Sequence, residues 1–397
     1  MPKNKFPDID TSEIETPCFI LDEGMIRSDM RIIKEISDKA GVKVLLALKG
    51  FASYETFPLM KDTLAGICAG SLNEARLGRE EFGKEVHTYC PAFKNSEFDE
   101  ILSYSDFIIF NSTSQANAFI PKIRKNGKKV EIGLRLNPEK SVAGQLFGAY
   151  DPCGENSRLG IKKERLSGMN LEDITGLHFH ALCEQGAEEL EIVLDEFDRK
   201  FEKYIRGVSW VNFGGGHHFT KEGYNLEKLY KMINNFKTKY PNIQRVYFEP
   251  SEAIVLNSGV LVASVLDIVH NEKDIAIIDS SVESHFPDVL ITRHEPSPYI
   301  QEILGAEIIR EGQTAKHGFN YTLGGVSCAA GDVFGDYTFP HPLNVGDKLI
   351  FTDVAHYTIV KTSTFCGVNV PPIKLRKMDG ELVILKEFDY EDYKSRL

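Results

Sequence analysis

Short apolar runs alternate with amphipathic stretches between about residues 25 and 257 of this chain. The stretches between the runs, such as Leu190–Tyr204, carry apolar residues at helical spacing. This alternation predicts βα units around a parallel sheet. The predicted strands are Val42–Leu48, Ala65–Ala69, Val86–Tyr89, Phe107–Asn111, Val130–Leu136, Thr175–Phe179, Trp210–Phe213 and Arg245–Glu249. Eight strands indicate an α/β fold with a (β/α)8 barrel over residues 25–257, in which the carboxyl ends of the strands carry the chemistry.

From about residue 258 the pattern changes to closely spaced strand-like runs separated by Gly, Pro, Asn and Asp turns. The predicted strands here are Val260–Val269, Ile275–Asp279, Lys348–Asp353 and Leu382–Ile384. The early segment Thr16–Asp22 is also strand-like but precedes the alternating region, so we expect it to pair with the later strands. A second domain of β-sandwich or β-barrel type is therefore predicted from residues 1–24 and 258–397.

The composition of the chain indicates where the protein is located and which kinds of partner it binds. The chain has 397 residues with 42% hydrophobic content, which suits two domains. It contains no apolar run of about 18 residues and begins with polar and acidic residues, so we expect a cytoplasmic protein without a membrane partner. Seven scattered cysteines without a Cys-x-x-Cys pair indicate reduced thiols. The net charge of −12 disfavours nucleic acid as a partner and favours a cationic small molecule.

Lys49 ends the apolar run that begins at Val44. Desolvation lowers the pKa of a lysine, and the neutral amine attacks an aldehyde to form a Schiff base. A buried lysine at the end of a strand is therefore a candidate to carry pyridoxal 5'-phosphate. The structural alternative is a strand-end lysine that extends its amine to water.

Three glycines, Gly214, Gly215 and Gly216, follow a predicted strand within the segment NFGGGHH. Glycine lets the backbone approach an anion closely, and the N–H groups can then bind phosphate oxygens. The pattern indicates a phosphate-binding loop or, equally well, a flexible turn.

His178 and His180 lie two residues apart, so that they share one face of a strand. Together with His217 and His218 they could bind zinc, or His180 could stack on a flat cofactor. Tight His and Cys spacing is absent, so we expect no metal site and interpret His178 as a structural histidine.

Glu249 ends the last predicted barrel strand, immediately before Pro250. A carboxylate at that position could keep a pyridine nitrogen protonated, which makes the cofactor ring an effective electron sink. The alternative is a solvated glutamate, an interpretation that suits Glu252 better than Glu249.

Two segments of the β-rich region carry further candidates. Cys328 and Asp332 lie in the glycine-containing segment SCAAGDVFGD, where a thiol could donate a proton and a carboxylate could hold an ammonium group. An inert buried cysteine is the alternative. Tyr357, in a strand-like segment, could bond a phosphate or simply pack.

Taken in order, the segments ALKGF, GLHFHALCEQ, NFGGGHH, FEPSE, SCAAGDVFGDY and AHYTIVKTSTFCG resemble the pyridoxal-phosphate-dependent fold-type III decarboxylases, an alanine-racemase-like group. The resemblance extends from Thr16 to about Tyr390 and is strongest to the branch that acts on carboxynorspermidine and carboxyspermidine. It implies a barrel that binds pyridoxal phosphate, a β-domain, and a head-to-tail homodimer with active sites at the subunit interface.

The resemblance also implies roles for individual residues. Lys49 resembles the Schiff-base lysine, and His180 the residue stacked on the cofactor ring. Cys328 is similar to a cysteine that reaches across from the partner subunit and protonates the decarboxylated intermediate. Asp332 has the spacing of a residue near the distal amine of the substrate. The remaining implied cofactor ligands are Gly214, Gly215 and Gly216 with Tyr357 at the phosphate, and Glu249 at the ring nitrogen.

Two departures from related patterns bear on the substrate. Diaminopimelate decarboxylases typically have a glutamate after the cysteine and an arginine in the Glu-Pro-Gly motif, whereas this chain has Ala329 and Glu252. These residues would suit a long cationic tail better than a second amino-acid head group, so Glu252 is a candidate substrate ligand. Ser251 stands where the resembled branch usually has glycine.

The implied function is decarboxylation of carboxynorspermidine or carboxyspermidine to norspermidine or spermidine in polyamine synthesis. A decarboxylase of diaminopimelate, ornithine or arginine is the nearest alternative, and an amino-acid racemase would be expected to have a tyrosine in place of Cys328. A pyridoxal-phosphate carrier, which is a lone barrel, or an inactive regulator would be non-enzymatic alternatives. The sequence does not distinguish an aminopropyl from an aminobutyl tail on the substrate, because one methylene changes the binding free energy by only about 1–3 kcal/mol.

Overall fold

The computed structural model describes residues 6–142, 150–294, 299–310, 313 and 317–397. Contacts divide the chain into two compact units. One consists of Arg27–Ile254, and the other combines Met1–Ile26 with Val255–Leu397. Within the described residues, no helix combines the length and the apolar character needed to cross a membrane.

Strand β1 (Cys18–Asp22) comes first in the chain, and the next eight strands form a closed parallel barrel. The barrel strands are β2 (Lys43–Ala47), β3 (Gly66–Ala69), β4 (Glu85–Tyr89), β5 (Phe107–Phe110), β6 (Glu131–Arg135), β7 (Gly176–His178), β8 (Trp210–Asn212) and β9 (Arg245–Phe248). Each pairs with the next, and pairing of β9 with β2 closes the barrel. The predicted barrel is confirmed, and every strand ends within one residue of its predicted end.

Most of the connections in this unit are helical. The helices are α1 (Glu23–Ala40), α2 (Leu72–Leu77), α3 (Phe98–Tyr104), α4 (Thr113–Asn126), α5 (Ala187–Ile205) and α6 (Leu226–Lys239). The longer helices bury an apolar stripe, as Val193, Phe197 and Phe201 of α5 do. Helix α2 continues into a π-helical turn at Gly78, where a Cβ would lie 2.4 Å from the side chain of Ile67. A glycine is therefore required at position 78 for this turn to pack against Ile67 of β3.

The described residues of the second unit form a mixed sheet of nine strands. Besides β1 they are β10 (Gly259–Asn271), β11 (Lys273–Ile278), β12 (Glu307–Ile309), β13 (Phe319–Gly324), β14 (Val333–Phe339), β15 (Lys348–Phe351), β16 (Ile373–Arg376) and β17 (Leu382–Lys386). The order is β12-β14-β13-β11-β10-β1-β16-β17, and β15 also pairs with β10. Strand β1 pairs with β10 and β16, which confirms the predicted pairing of the early segment. The described residues of this unit also form the short helices α7 (Val282–His285), α8 (Pro287–Ile291) and α9 (Tyr390–Lys394).

Candidate active site

Lys49 lies in a turn two residues beyond the carboxyl end of β2, and its side chain is exposed in the single chain. The expectation of a lysine buried at the strand end was therefore wrong in its local detail. The strand stops earlier because the N–H of Gly50 donates to the carbonyl of Ala47 at 3.1 Å and closes a turn. The amine remains close enough to His180 and Cys68 for its charge to influence their titration.

Glu249 follows β9 directly and is only 8% exposed. The distance from its Oε1 to His178 Nε2 is 2.7 Å, and its Oε2 accepts a hydrogen bond from Asn212 Nδ2 at 3.0 Å. Burial alone would raise the pKa of Glu249, but the charge and hydrogen bond of the neighbouring His178 imidazole outweigh it and hold that pKa well below its usual value. The barrel thus holds a buried, ionised carboxylate.

His180 follows β7, and its ring is a neutral imidazole at physiological pH. Burial, followed by the positive charge of Lys49, lowers its pKa to about 3. Its Nδ1 accepts the backbone N–H of Gly215 at 3.0 Å, so the ring proton belongs on Nε2. The Nη2 of Arg135 lies 3.4 Å from the His180 carbonyl and donates to it. A flat, uncharged ring fixed in this way can stack on an aromatic cofactor.

The glycine loop after β8 packs tightly against the ends of the neighbouring strands. A Cβ on Gly214 would lie 2.3 Å from the carbonyl oxygen of Phe179, and one on Gly216 would lie 2.1 Å from that of Leu182. Both glycines also have positive φ values, 72° and 80°. The close backbone packing therefore requires glycine.

Two N–H groups of this loop donate to side chains of the protein, whereas the sequence predicted that they would bind a phosphate. The N–H of Gly214 donates to Asn212 Oδ1 at 2.8 Å, and that of Gly215 donates to His180. These two groups therefore position side chains rather than facing a phosphate. Binding of the cofactor phosphate by Gly214, Gly215 and Gly216 stays a prediction.

Glu252 lies in a short helical turn after β9 and is 8% exposed, so its interpretation as a solvated acid was wrong. The distance between its Oε2 and His218 Nε2 is 2.9 Å. Glu252 therefore pairs with His218, for which the sequence indicates only a possible role as a zinc ligand. Its role as a substrate ligand remains a prediction.

Several further residues at the strand ends were not selected from the sequence. Asn212 is the clearest, because it stands immediately before Phe213 and the glycines within a motif that was already recognised. Arg135 lies over the ring of Tyr89, 4.7 Å from its centroid, and that ring stacks on His178. Burial and the Glu249 carboxylate together raise the pKa of the Cys68 thiol well above its usual value.

The remaining histidine of the motif, His217, faces inward. Its Nε2 lies 3.2 Å from the carbonyl oxygen of Phe213, and burial lowers its pKa to about 4. In the part of the chain that the structure describes, no three His, Cys, Asp or Glu side chains are grouped so as to hold a metal ion.

The other predicted residues belong to the second unit. Cys328 is exposed, and its Sγ lies 3.0 Å from Cys366 Sγ. Asp332 is 4% exposed, and its two oxygens accept the backbone N–H groups of Val282 at 2.7 Å and Ser327 at 3.0 Å. The carboxylate therefore organises the loop that carries Cys328, and its predicted contact with a substrate amine is untested.

Tyr357 lies in a turn rather than in a strand. Its φ of 53° is left-handed, and Lys361 Nζ lies 5.0 Å from its ring centroid. The predicted bond from its hydroxyl to a phosphate is also untested.

The chemistry of the barrel residues fits pyridoxal phosphate. Glu249 is a buried anion suited to a protonated ring nitrogen, and His180 is a neutral ring suited to stacking. Lys49 adds an exposed amine that an aldehyde can reach. A family model described as pyridoxal-dependent decarboxylase, C-terminal sheet domain, matches residues 18–355. The chain belongs to the pyridoxal-dependent decarboxylases.

Comparison with individual proteins supports the same assignment. This decarboxylase is 45% identical over 390 residues to the carboxynorspermidine/carboxyspermidine decarboxylase of Campylobacter jejuni, covering 97% of this chain and 99% of that protein. It is 39% identical to the carboxyaminopropylagmatine decarboxylase of Synechocystis, covering 97% of this chain and 96% of that protein. A crystal structure of the Campylobacter jejuni carboxynorspermidine decarboxylase complexed with norspermidine matches with a TM-score of 0.87 and 43% identity, covering 97% of this chain and 100% of that one.

This decarboxylase is thus a pyridoxal-phosphate-dependent carboxy-lyase of fold type III. When bound, the cofactor supplies an aldehyde for covalent attachment and a ring that accepts the electron pair left behind by CO2. The protein's own residues bind and orient the cofactor and the substrate, and they move protons.

Proposed function

We propose that this decarboxylase converts carboxynorspermidine and carboxyspermidine to norspermidine and spermidine, releasing CO2, in polyamine synthesis. The observation that carries the proposal is full-length similarity to two proteins of that stated activity, at 45% and 36% identity. The net charge of −12 and the acidic Glu252 are consistent with a cationic substrate.

The proposed roles in the barrel follow from charge and position. The amine of Lys49 would hold the cofactor covalently. Glu249, ionised and buried, holds a proton at the ring nitrogen. His180 would stack on the cofactor ring, to which its uncharged imidazole is suited. Gly216 and Tyr357 would hold the phosphate, while Gly214 and Gly215 position Asn212 and His180.

The proposed roles in the second unit concern protonation and substrate binding. Cys328 donates a proton to the α-carbon after CO2 has left. Asp332 places the Cys328 loop and lies towards the distal amine of the substrate, and Glu252 adds negative charge for the cationic tail. Because Cys328 is exposed in the single chain, the proposal includes a homodimer in which this thiol serves the partner's barrel. A cytoplasmic location, where its thiols stay reduced, completes the proposal.

The test is CO2 release by the purified protein with added pyridoxal phosphate. Carboxynorspermidine, carboxyspermidine, meso-diaminopimelate and ornithine are compared side by side. We expect kcat/KM for a carboxylated polyamine to exceed the values for the two amino acids by at least about 10²-fold, because an unpaired distal carboxylate or a missing tail leaves buried charges uncompensated. Turnover of diaminopimelate alone would overturn the proposal.

A second candidate substrate is carboxyaminopropylagmatine, favoured by the 39% identity to the Synechocystis enzyme. Its tail ends in a planar guanidinium instead of an ammonium, and these groups differ in the hydrogen-bond geometry that they require. Including this compound in the same assay ranks the two tails directly. A higher kcat/KM for the guanidinium tail would replace the first candidate with the second.

A further inference from the structure

Cys328 and Cys366 form a close pair of thiols. Their sulfur atoms are 3.0 Å apart although 38 residues separate them in sequence. Both residues are exposed in the single chain. A disulfide has a sulfur–sulfur distance of about 2.05 Å, so closure requires the sulfurs to approach by only about 1 Å. The pair is therefore already close to the separation at which it can be oxidised.

Each cysteine lies in a loop that backbone hydrogen bonds hold in place. The Cys328 loop is closed by Asp332, whose backbone N–H donates to the carbonyl of Ala329 at 3.0 Å and whose carboxylate accepts the N–H of Ser327. On the other side, the N–H of Ser363 donates to the Ser284 carbonyl at 2.8 Å. These anchors hold the two thiols together.

The second loop is also anchored at the residue next to Cys366. The Oγ of Ser284 donates to the carbonyl of Phe365 at 3.2 Å. Cys366 itself takes a left-handed conformation, with φ 58° and ψ 15°, which is uncommon for a residue other than Gly, Asn or Asp. Its conformation is therefore set by the loop around it.

Exposure separates this pair from other cysteines of the chain. Cys18, Cys90 and Cys153 are buried, and burial raises their pKa values to about 11, 12 and 12 respectively. The hydrogen bond from Cys328 lowers the pKa of Cys366. Since the thiolate is the form that reacts with oxidants, Cys366 is favoured as the first to react.

We propose that Cys328 and Cys366 form a reversible disulfide when the protein meets a peroxide, and that this modification stops decarboxylation. The inhibitory consequence rests on the proposed function, because it requires Cys328 to be the proton donor. The disulfide itself rests only on the geometry of the pair.

The reaction balances with hydrogen peroxide as the oxidant. The Cys366 thiolate attacks one peroxide oxygen, the O–O bond breaks, and hydroxide leaves and becomes water on protonation. Cys328 then loses its proton and attacks the sulfur of the Cys366 sulfenic acid, and the S–O bond breaks with release of a second water. Two thiols are oxidised by two electrons in total, while one peroxide is reduced to two waters. A dithiol reductant reverses the change.

The test exposes holoenzyme to hydrogen peroxide, blocks the remaining thiols with N-ethylmaleimide, and identifies linked peptides by mass spectrometry without reduction. Wild type is compared with Cys366→Ser and with Cys183→Ser as a control that keeps the pair. We expect a peptide linking Cys328 to Cys366 in wild type and in the control, formed in parallel with loss of turnover. Dithiothreitol should restore both, and Cys366→Ser should lose activity at least about tenfold more slowly at the same peroxide concentration.

The two proposals fail differently. Absence of the linked peptide, in a protein whose Cys328→Ala variant is inactive, would overturn the disulfide and leave the proposed function intact. Formation of the linked peptide with full turnover would overturn the inhibitory switch and also the proton-donor role of Cys328.

Discussion

Asn212 connects Glu249 to the glycine loop. Its Nδ2 donates to Glu249 Oε2 at 3.0 Å, while its Oδ1 accepts the N–H of Gly214 at 2.8 Å. One amide therefore fixes two features of the site, the buried carboxylate and the turn that follows β8. Because an amide has both a donor and an acceptor, no apolar or singly functional side chain can replace it.

The first prediction concerns the charge of Glu249. We expect Glu249→Gln to lower kcat for CO2 release by on the order of 10²- to 10³-fold, because the variant keeps the shape of the side chain and removes the anion. The matched control is Glu85→Gln at the amino end of β4, where a carboxylate also contacts a histidine, His87, at 3.2 Å. Similar losses in both variants would show that the effect is one of folding and not of the site.

Asn212 provides the second prediction. We expect Asn212→Ala to lower kcat by about tenfold with less effect on KM, since it frees Glu249 and the loop without removing the charge. The visible absorption spectrum of the bound cofactor should change with it. In the double variant with Glu249→Gln the two losses should fall short of additivity, because both act on one carboxylate. Additive losses would mean that Asn212 acts independently of Glu249.

The third prediction separates Lys49 from Cys328. Lys49→Ala should abolish the visible absorption of the lysine-bound cofactor, whereas Cys328→Ala should keep the absorption and lose turnover. Lys34→Ala on α1, where the lysine side chain is 53% exposed, is the control for loss of a positive charge. An unchanged spectrum for Lys49→Ala would show that Lys49 is not the residue that binds the cofactor covalently.

These same variants test whether sites are shared between subunits. Mixing Lys49→Ala with Cys328→Ala under conditions of subunit exchange should restore about a quarter of the wild-type rate. Half of the dimers are then hybrids, and each hybrid has one intact site. Sedimentation analysis establishes whether exchange has occurred. A mixture that exchanges subunits and stays inactive would place each complete site within one chain.

The sequence was most informative about the barrel strands, for a physical reason. Strands of a parallel barrel are buried on both faces, so they appear as continuous apolar runs with clear ends. Strands β12, β13, β14 and β16 of the other unit were not predicted. The segment of β13 includes exposed residues such as Phe319 and Asn320, so it lacks such a run.

The site also contains residues that the sequence predicts and contacts that it does not. Lys49, His180 and Glu249 could be selected because each stands at the end of an apolar run. The bonds of Asn212 and His218 to their glutamates could not, since the partners are 37 and 34 residues apart in sequence and only closure of the barrel brings them together. The Cys328 and Cys366 pair was also missed, because 38 residues separate the two in sequence and the loops of the second unit bring them together.

The last prediction concerns the pH dependence of stability. His217 is buried, and its pKa in the folded chain is about 4, below the unfolded value of 6.5. Between these values the unfolded chain binds a proton that the folded chain does not. The contribution of His217 to the free energy of unfolding is therefore largest above pH 6.5 and falls as the pH drops towards 4. At pH 5 this one histidine should cost about 2 kcal/mol relative to pH 7.

Trp210 makes this effect measurable, because it is the chain's single tryptophan and is buried in the barrel. Its fluorescence in urea, with pyridoxal phosphate at saturation, reports unfolding of the unit that contains His217. We expect His217→Asn to reduce the loss of stability between pH 7 and pH 5 by about 2 kcal/mol, even if the variant is less stable at pH 7. His270→Asn, where the ring is 74% exposed, should leave the pH dependence as in wild type. If His217→Asn loses as much stability on acidification as wild type, the buried neutral histidine is not the cause, and other groups of the barrel must bind the protons.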